Sequence, residues 1–273
     1  MIDLQNSTDQ RNIPINEVGV CDICHPITVL DKANGGQQTV ARLSMTVNLP
    51  HQFKGTHMSR FFEVLNEFQE EMTIRTLAKL LPTLKQRLEA EAARVEIRFP
   101  YFLKKLAPIS KSAGLMKYEC SFVGQADAQR DDYIVGVNVP VTSLCPCSKA
   151  ISKYGAHNQR GHVSIEVRTV RKGNGHPELI WIEELIEIAE KSASAPVYAL
   201  LKREDEKAVT EQAYDNPVFV EDIVRNVAEQ LINDARVAWF QIKVINQESI
   251  HNHNAFARIE WTRPCWAYTS SPP

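Results

Sequence analysis

Two kinds of periodicity alternate along this chain, in an order that is spelled out twice. Val40 is followed by Leu43, Met45, Val47 and Leu49, with Arg42, Ser44, Thr46 and Asn48 between the last four. A period of two marks a strand with one buried face, and Pro50 and Gly55 end it. Met58, Phe61, Phe62, Leu65 and Phe68 then recur at the three- and four-residue steps of a helix face. Leu77, Leu80, Leu81, Leu84 and Leu88 do the same, and Pro82 among them predicts a kink or a break. Val95, Ile97 and Phe99 alternate with charged residues in a second strand, and residues 115–124 read as its partner. The order then restarts. Val135, Val137, Val139 and Val141 alternate, as do Val163, Ile165 and Val167. Helical stretches follow at about 178–191 and 217–232, the second opened by Asn216 as N-cap and Pro217 as first residue. Phe240, Ile242 and Val244, then residues 255–261, close the series as strands.

Strands, two helices, then strands, twice over, excludes the strict β-α-β alternation of a parallel sheet. It predicts an α+β protein of two halves, each an antiparallel sheet with two helices on one face. Residues 1–37 read as a polar N-terminal arm closed by the turn Asn34-Gly35-Gly36. The first half is then 38–128, the second 129–265, and 266–273 a C-terminal tail. No low-complexity linker separates the halves, so they are expected to pack as one unit.

Charge narrows the range of partners. The formal net charge is −2, which argues against nucleic acid or an anionic membrane as the main partner. It leaves room for a local basic pocket that holds one phosphorylated ligand. No run of 18 apolar residues exists to span a bilayer. The first twenty residues lack a basic segment followed by an apolar one, so a cytoplasmic location is expected. Six cysteines there are expected to be reduced, and so available for metal or catalysis.

The densest chemistry lies between Val141 and Arg160, in a loop of about 20 residues between two strands. It carries Cys145, Cys147, Lys149, Lys153, His157 and Arg160. Thiolate plus imidazole suits zinc or a similar divalent ion. A buried structural cysteine pair with a hydrogen-bonded histidine, and a catalytic Cys–His pair, fit the same residues. His251 and His253, at i and i+2, point the same way if the backbone is extended. The run Lys202–Lys207 reads as a solvated surface, and Glu221 and Asp222 as carboxylates favoured by a helix dipole. The run from Thr56 through His57 to Arg60 opens a helix, where Arg60 and Lys54 could hold phosphate, and Lys104 and Lys105 end a strand as a basic pair. Cys21-Asp-Ile-Cys24-His25 matches covalent haem attachment, which belongs to exported proteins. The two thiols are therefore read as incidental to an N-terminal arm.

The run PVTSLCPCSK with YGAHNQR, preceded by GTHMSR and followed by KREDEKAVTEQAY, NPVFVED and SIHNHNA, resembles GTP cyclohydrolase IB. This is the prokaryotic form of the enzyme that begins folate biosynthesis. The resemblance covers nearly the whole chain. It implies a bimodular tunnelling fold whose subunits close into a barrel and associate as a homotetramer, with active sites at subunit interfaces. It implies one divalent metal per subunit, zinc, manganese or iron, on Cys145, His157 and Glu206. It makes Glu221 the anchor for guanine, and Cys147, His251 and His253 the acid–base groups. Arg60, Lys54, Lys104, Lys105, Lys149, Lys153 and Arg160 are then candidates to neutralise the triphosphate, and His57 is a further candidate for binding substrate. The reaction implied is attack of an activated water on guanine C8, giving 7,8-dihydroneopterin triphosphate and formate. Two rivals share the fold: a non-catalytic purine or pterin binder, and a deazapurine-pathway enzyme whose cysteine attacks a nitrile.

Overall fold

The computed structural model describes residues 5, 7–68, 72–171 and 176–264. The chain divides into two compact units, and they are not consecutive halves. The first is residues 1–100, 121–135 and 171–178, and the second is 101–120, 136–170 and 179–273.

In the first unit, β1 (Ile15–Asp31) and β2 (Gly35–Leu49) form an antiparallel hairpin. Asp31 closes its turn by accepting from the backbone of Ala33 and Asn34, and Gly35 takes φ of +80°. α1 (Met58–Glu67) and α2 (Ile74–Leu88) follow. β3 (Ala93–Leu106) pairs with β2, setting Ile97 opposite Leu43 and Val95 opposite Met45. β4 (Ala113–Ala126) and β5 (Asp131–Leu144) complete the order β1-β2-β3-β4-β5. The alternate residues Leu43, Met45, Val47, Val95 and Ile97 are buried, as are Phe61, Val64 and Leu65 of α1 and the five leucines of α2. A Cβ at Gly124 would come within 3.0 Å of Leu81 Cδ1, so glycine lets α2 lie close on β4.

Two expectations change here. The polar arm 1–37 is not an arm, because 17 of its residues form β1. Two register shifts, with Asp22 at φ of 58° beside one of them, break the alternation that would have marked the strand. Pro82 does not break α2, which runs through it with Leu77, Leu80, Leu81 and Leu84 fully buried. That burial outweighs the missing backbone donor.

In the second unit, the later parts of β3 and β5 and the earlier part of β4 are joined by α3 (Pro146–Ile151), β6 (Asn158–Thr169) and α4 (Ile182–Ser192). Then come β7 (Ala195–Pro196), α5 (Arg203–Asp215), α6 (Val220–Asn233), β8 (Val237–Asn246) and β9 (Ala255–Thr262). The strand order is β3-β4-β5-β6-β8-β9, with β7 on β5. Val163, Ile165 and Val167 face Val244, Ile242 and Phe240 across β6 and β8, all buried. Leu185, Ile186 and Ala189 of α4 and Ile223, Val227 and Leu231 of α6 are buried with them.

The second repeat thus has two additional helices, α3 and α5. The charge run Lys202–Lys207 opens α5, and only Asp205 and Ala213 of that helix's thirteen residues are buried, so it has no apolar period to see. Asn216 caps the end of α5 and donates to the carbonyls of Ala193 and Ser194, instead of opening α6. The expected loop between the strands is shorter, residues 145–157, and holds α3. The expected tail 266–273 lies outside the described residues. No helix among the described residues is long and apolar enough to cross a membrane.

Candidate active site

β5 ends at Leu144, and Cys145 is the N-cap of α3 with Pro146 at its first position. Pro146 has no N–H to leave unsatisfied there, and its fixed φ starts the helix. Cys145 Sγ accepts from Ser148 N at 3.4 Å. Cys145 N donates to His157 O at 3.2 Å, and His157 N donates to Ser148 Oγ at 3.2 Å. The thiol and the imidazole are therefore tied to one turn. His157 Nδ1 meets Ser249 Oγ at 3.2 Å, which leaves Nε2 as the nitrogen not engaged by that serine. Cys145 and His157 are half-buried, and Cys147 on α3 is exposed.

The acidic runs sort themselves by position in the helix. At α5, Asp205 at the third position accepts from Lys202 N at 2.9 Å, and at α6 Asp222 accepts from Phe219 N at 3.0 Å. These carboxylates satisfy helix-terminal donors. Their neighbours Glu206 and Glu221 are exposed and outside the capping bonds. Asp205 is completely buried and also accepts from Ile109 N, Ser110 N and Ser110 Oγ at 2.6–2.9 Å. Burial alone would raise its carboxyl pKa, but these donors hold it well below the usual carboxylate range. His251 and His253 are exposed with their rings stacked, centroids 5.0 Å apart.

The basic candidates separate too. Lys104 and Arg160 are exposed. Lys105 is not a free cation at a strand end, because β3 continues to Leu106. Its ammonium lies 2.6 Å from Glu190, 2.9 Å from the Val197 carbonyl and 4.3 Å from the centre of the Tyr198 ring. Arg60 donates to the Arg87 carbonyl at the end of α2 and pairs with Glu89. His57, the N-cap of α1, and Arg60 belong to the first unit, and the other expected site residues to the second. Lys149 donates to the Tyr214 carbonyl and covers its ring.

Cys145 and His157 are the two expected metal donors brought together. Among the described residues no three His, Cys, Asp or Glu side chains gather closely enough to hold an ion. A half-buried thiol beside an imidazole whose other nitrogen is held by a hydroxyl suits a soft-to-borderline divalent ion. Ser148 and Ser249 were missed in the sequence, although both lie inside the quoted motifs. A hydroxyl has no distinctive spacing to mark it as a partner.

Solved structures with the same architecture include uricase from Arthrobacter globiformis, with a TM-score of 0.54 and 10% identity, covering 92% of this chain and 97% of that one. Urate oxidase from Bacillus subtilis 168 aligns with a TM-score of 0.53 and 6% identity over 90% and 98% of the two chains. At such identity the likeness is one of fold, and the fold is the tunnelling fold. A family model described as type I GTP cyclohydrolase folE2 matches residues 1–257. GTP cyclohydrolase FolE2 of Syntrophotalea carbinolica is 54% identical over 96% of this chain and 95% of its own length. GTP cyclohydrolase FolE2 of Syntrophus aciditrophicus is 54% identical over 95% and 99%. The chain belongs to the type I GTP cyclohydrolase FolE2 family.

Proposed function

We propose that the protein is a GTP cyclohydrolase I, which converts GTP and water to 7,8-dihydroneopterin triphosphate and formate and opens tetrahydrofolate biosynthesis. The observation that carries this reading is the turn that ties Cys145 to His157, on the same unit as the exposed Glu206, Glu221 and paired imidazoles. Cys145 Sγ, His157 Nε2 and Glu206 are the proposed donors to one zinc, manganese or iron ion. Bound there with an open position, the ion would lower the pKa of a water towards ~7 for attack at guanine C8.

The remaining steps fall to side chains. Glu221 accepts from guanine N1–H and N2–H together, a pair that adenine does not offer. His251 and His253 deliver protons to N7 and to the opened imidazole ring, with Cys147 as the third acid–base group. Arg160 and Lys104 are the exposed cations of the second unit proposed to meet the triphosphate. The working form is proposed to be a cytoplasmic homotetramer whose subunits close into a barrel.

Incubation with GTP, followed by formate and pterin fluorescence, tests the activity and separates the rivals. A binder gives neither product, and a nitrile-attacking enzyme forms a thioimide at Cys147 with a nitrile substrate and leaves GTP intact.

A further inference from the structure

The segments that carry the proposed site meet at one buried hydroxyl. Ser143, two residues before Cys145, is completely buried. Its Oγ donates to the Val218 carbonyl at 3.2 Å, three residues before Glu221. The same Oγ accepts from Asn246 Nδ2 at 3.0 Å, and Asn246 is the last residue of β8, where the chain leaves for Ser249, His251 and His253. Backbone bonds reinforce the junction: Val218 N donates to Leu144 O at 3.2 Å, and Leu144 N donates to Ser194 Oγ at 2.9 Å. Asn246 is 1% exposed, and Gly161 opposite it leaves the room it needs, since a Cβ there would come 2.7 Å from Asn246 Oδ1.

We infer that Ser143 and Asn246 are a positioning pair for the reaction, fixing the Cys145 turn, the start of α6 with Glu221 and the His251–His253 loop in one arrangement. The inference rests on the proposed roles of those three segments. A purely structural polar pair needs only to be satisfied. Replacing both members by apolar groups of similar shape then restores what a single replacement loses. A positioning pair behaves differently, because the apolar replacement packs but aims nothing.

The test compares Ser143→Ala, Asn246→Leu and the double variant, well below each unfolding temperature, with bound metal per subunit measured alongside. Each single variant is expected to unfold at lower temperature, and the double variant to regain the part lost at the Ser143–Asn246 bond, the Val218 carbonyl still lacking its donor. The double variant should nonetheless keep its metal and lose on the order of 10- to 100-fold in kcat, the scale of a misplaced reacting group. Recovery of kcat together with stability would overturn the inference. Hydrogen exchange reads the same role without substrate: amides at 218–222 and 247–253 should exchange faster together in the double variant, and unchanged protection there would also overturn it. If the parent does not turn over GTP while the exchange result holds, the functional reading has failed and the positioning pair has not.

Discussion

Replacing Lys105 by methionine separates two roles that the sequence alone confounds. A strand-end lysine in a family that handles a triphosphate is expected to bind phosphate, and its loss should then raise the KM for GTP and leave stability alone. In the structure the ammonium and the Glu190 carboxylate are 2.6 Å apart, with side chains only 13% and 14% exposed. Burial pulls the Lys105 pKa below its ordinary value, while Glu190 beside it favours the charged form. Tyr118 OH donates to the same Glu190 oxygen at 2.9 Å, so the variant leaves a mostly buried carboxylate with one neutral donor. Breaking one side of a buried pair costs about 3–5 kcal/mol, and the residual exposure favours the lower end. At roughly 2–4 °C per kcal/mol for a chain of this size, Lys105→Met should lower the unfolding temperature by about 6–12 °C. Lys105→Met/Glu190→Leu should recover most of that, because an apolar pair of similar volume replaces the ions. Thermal unfolding followed by circular dichroism, beside steady-state kinetics at a temperature where the variant is folded, gives both numbers. An unchanged unfolding temperature with a tenfold rise in KM would refute the structural role and restore Lys105 to the phosphate site.

The two cysteines of the Cys-Pro-Cys turn should part company. Cys145→Ala is expected to lose metal and activity, while Cys147→Ala keeps about one metal per subunit and loses turnover by an acid–base factor of ~10²–10⁴; emission spectrometry beside rates decides, and a metal-free Cys147→Ala reverses the assignment. Glu206→Gln should lose metal, and a variant that retains it removes Glu206 from the donor set. Glu221→Gln should keep fold and metal but weaken GTP binding by ~1–3 kcal/mol, the value of a bidentate base contact; unchanged affinity by titration would end the anchor role. Asp205 has a depressed pKa, so its contribution is complete above the unfolded carboxyl value near ~4 and is lost as pH falls through the folded value. The gap in urea midpoint between parent and Asp205→Asn should therefore be widest at neutral pH and narrow below about pH 4; a gap constant with pH would contradict it.

What was legible in the sequence was whatever left a period. β2, β3, β5, β6 and β8 alternate because each buries one face, and α1, α2, α4 and α6 carry apolar stripes that end up in the cores. β1 was not legible, because its register shifts break the alternation. α5 was not legible, because it is nearly all exposed and its one key buried residue, Asp205, is charged. The Cys145–His157 turn could be suspected from residue type, but the distinction between capping and exposed carboxylates could not. Asp205 and Glu206, or Glu221 and Asp222, differ by a single position relative to a helix start, and helix starts are what sequence locates least well. The lock on Lys105 was hidden for a related reason: Glu190 is 85 residues away along the chain.

The proposed chemistry removes one identifiable carbon, so its most direct test follows that carbon. GTP labelled with ¹³C at C8 is supplied to the metal-loaded protein, and carbon NMR is recorded beside the fluorescence of the oxidised pterin product. The expected result is the label appearing in formate, one equivalent for each pterin formed, with none appearing when ATP labelled at C8 replaces GTP. Label that stays in intact purine, or pterin formed without labelled formate, would contradict the assignment of this site to the opening of the guanine ring at C8.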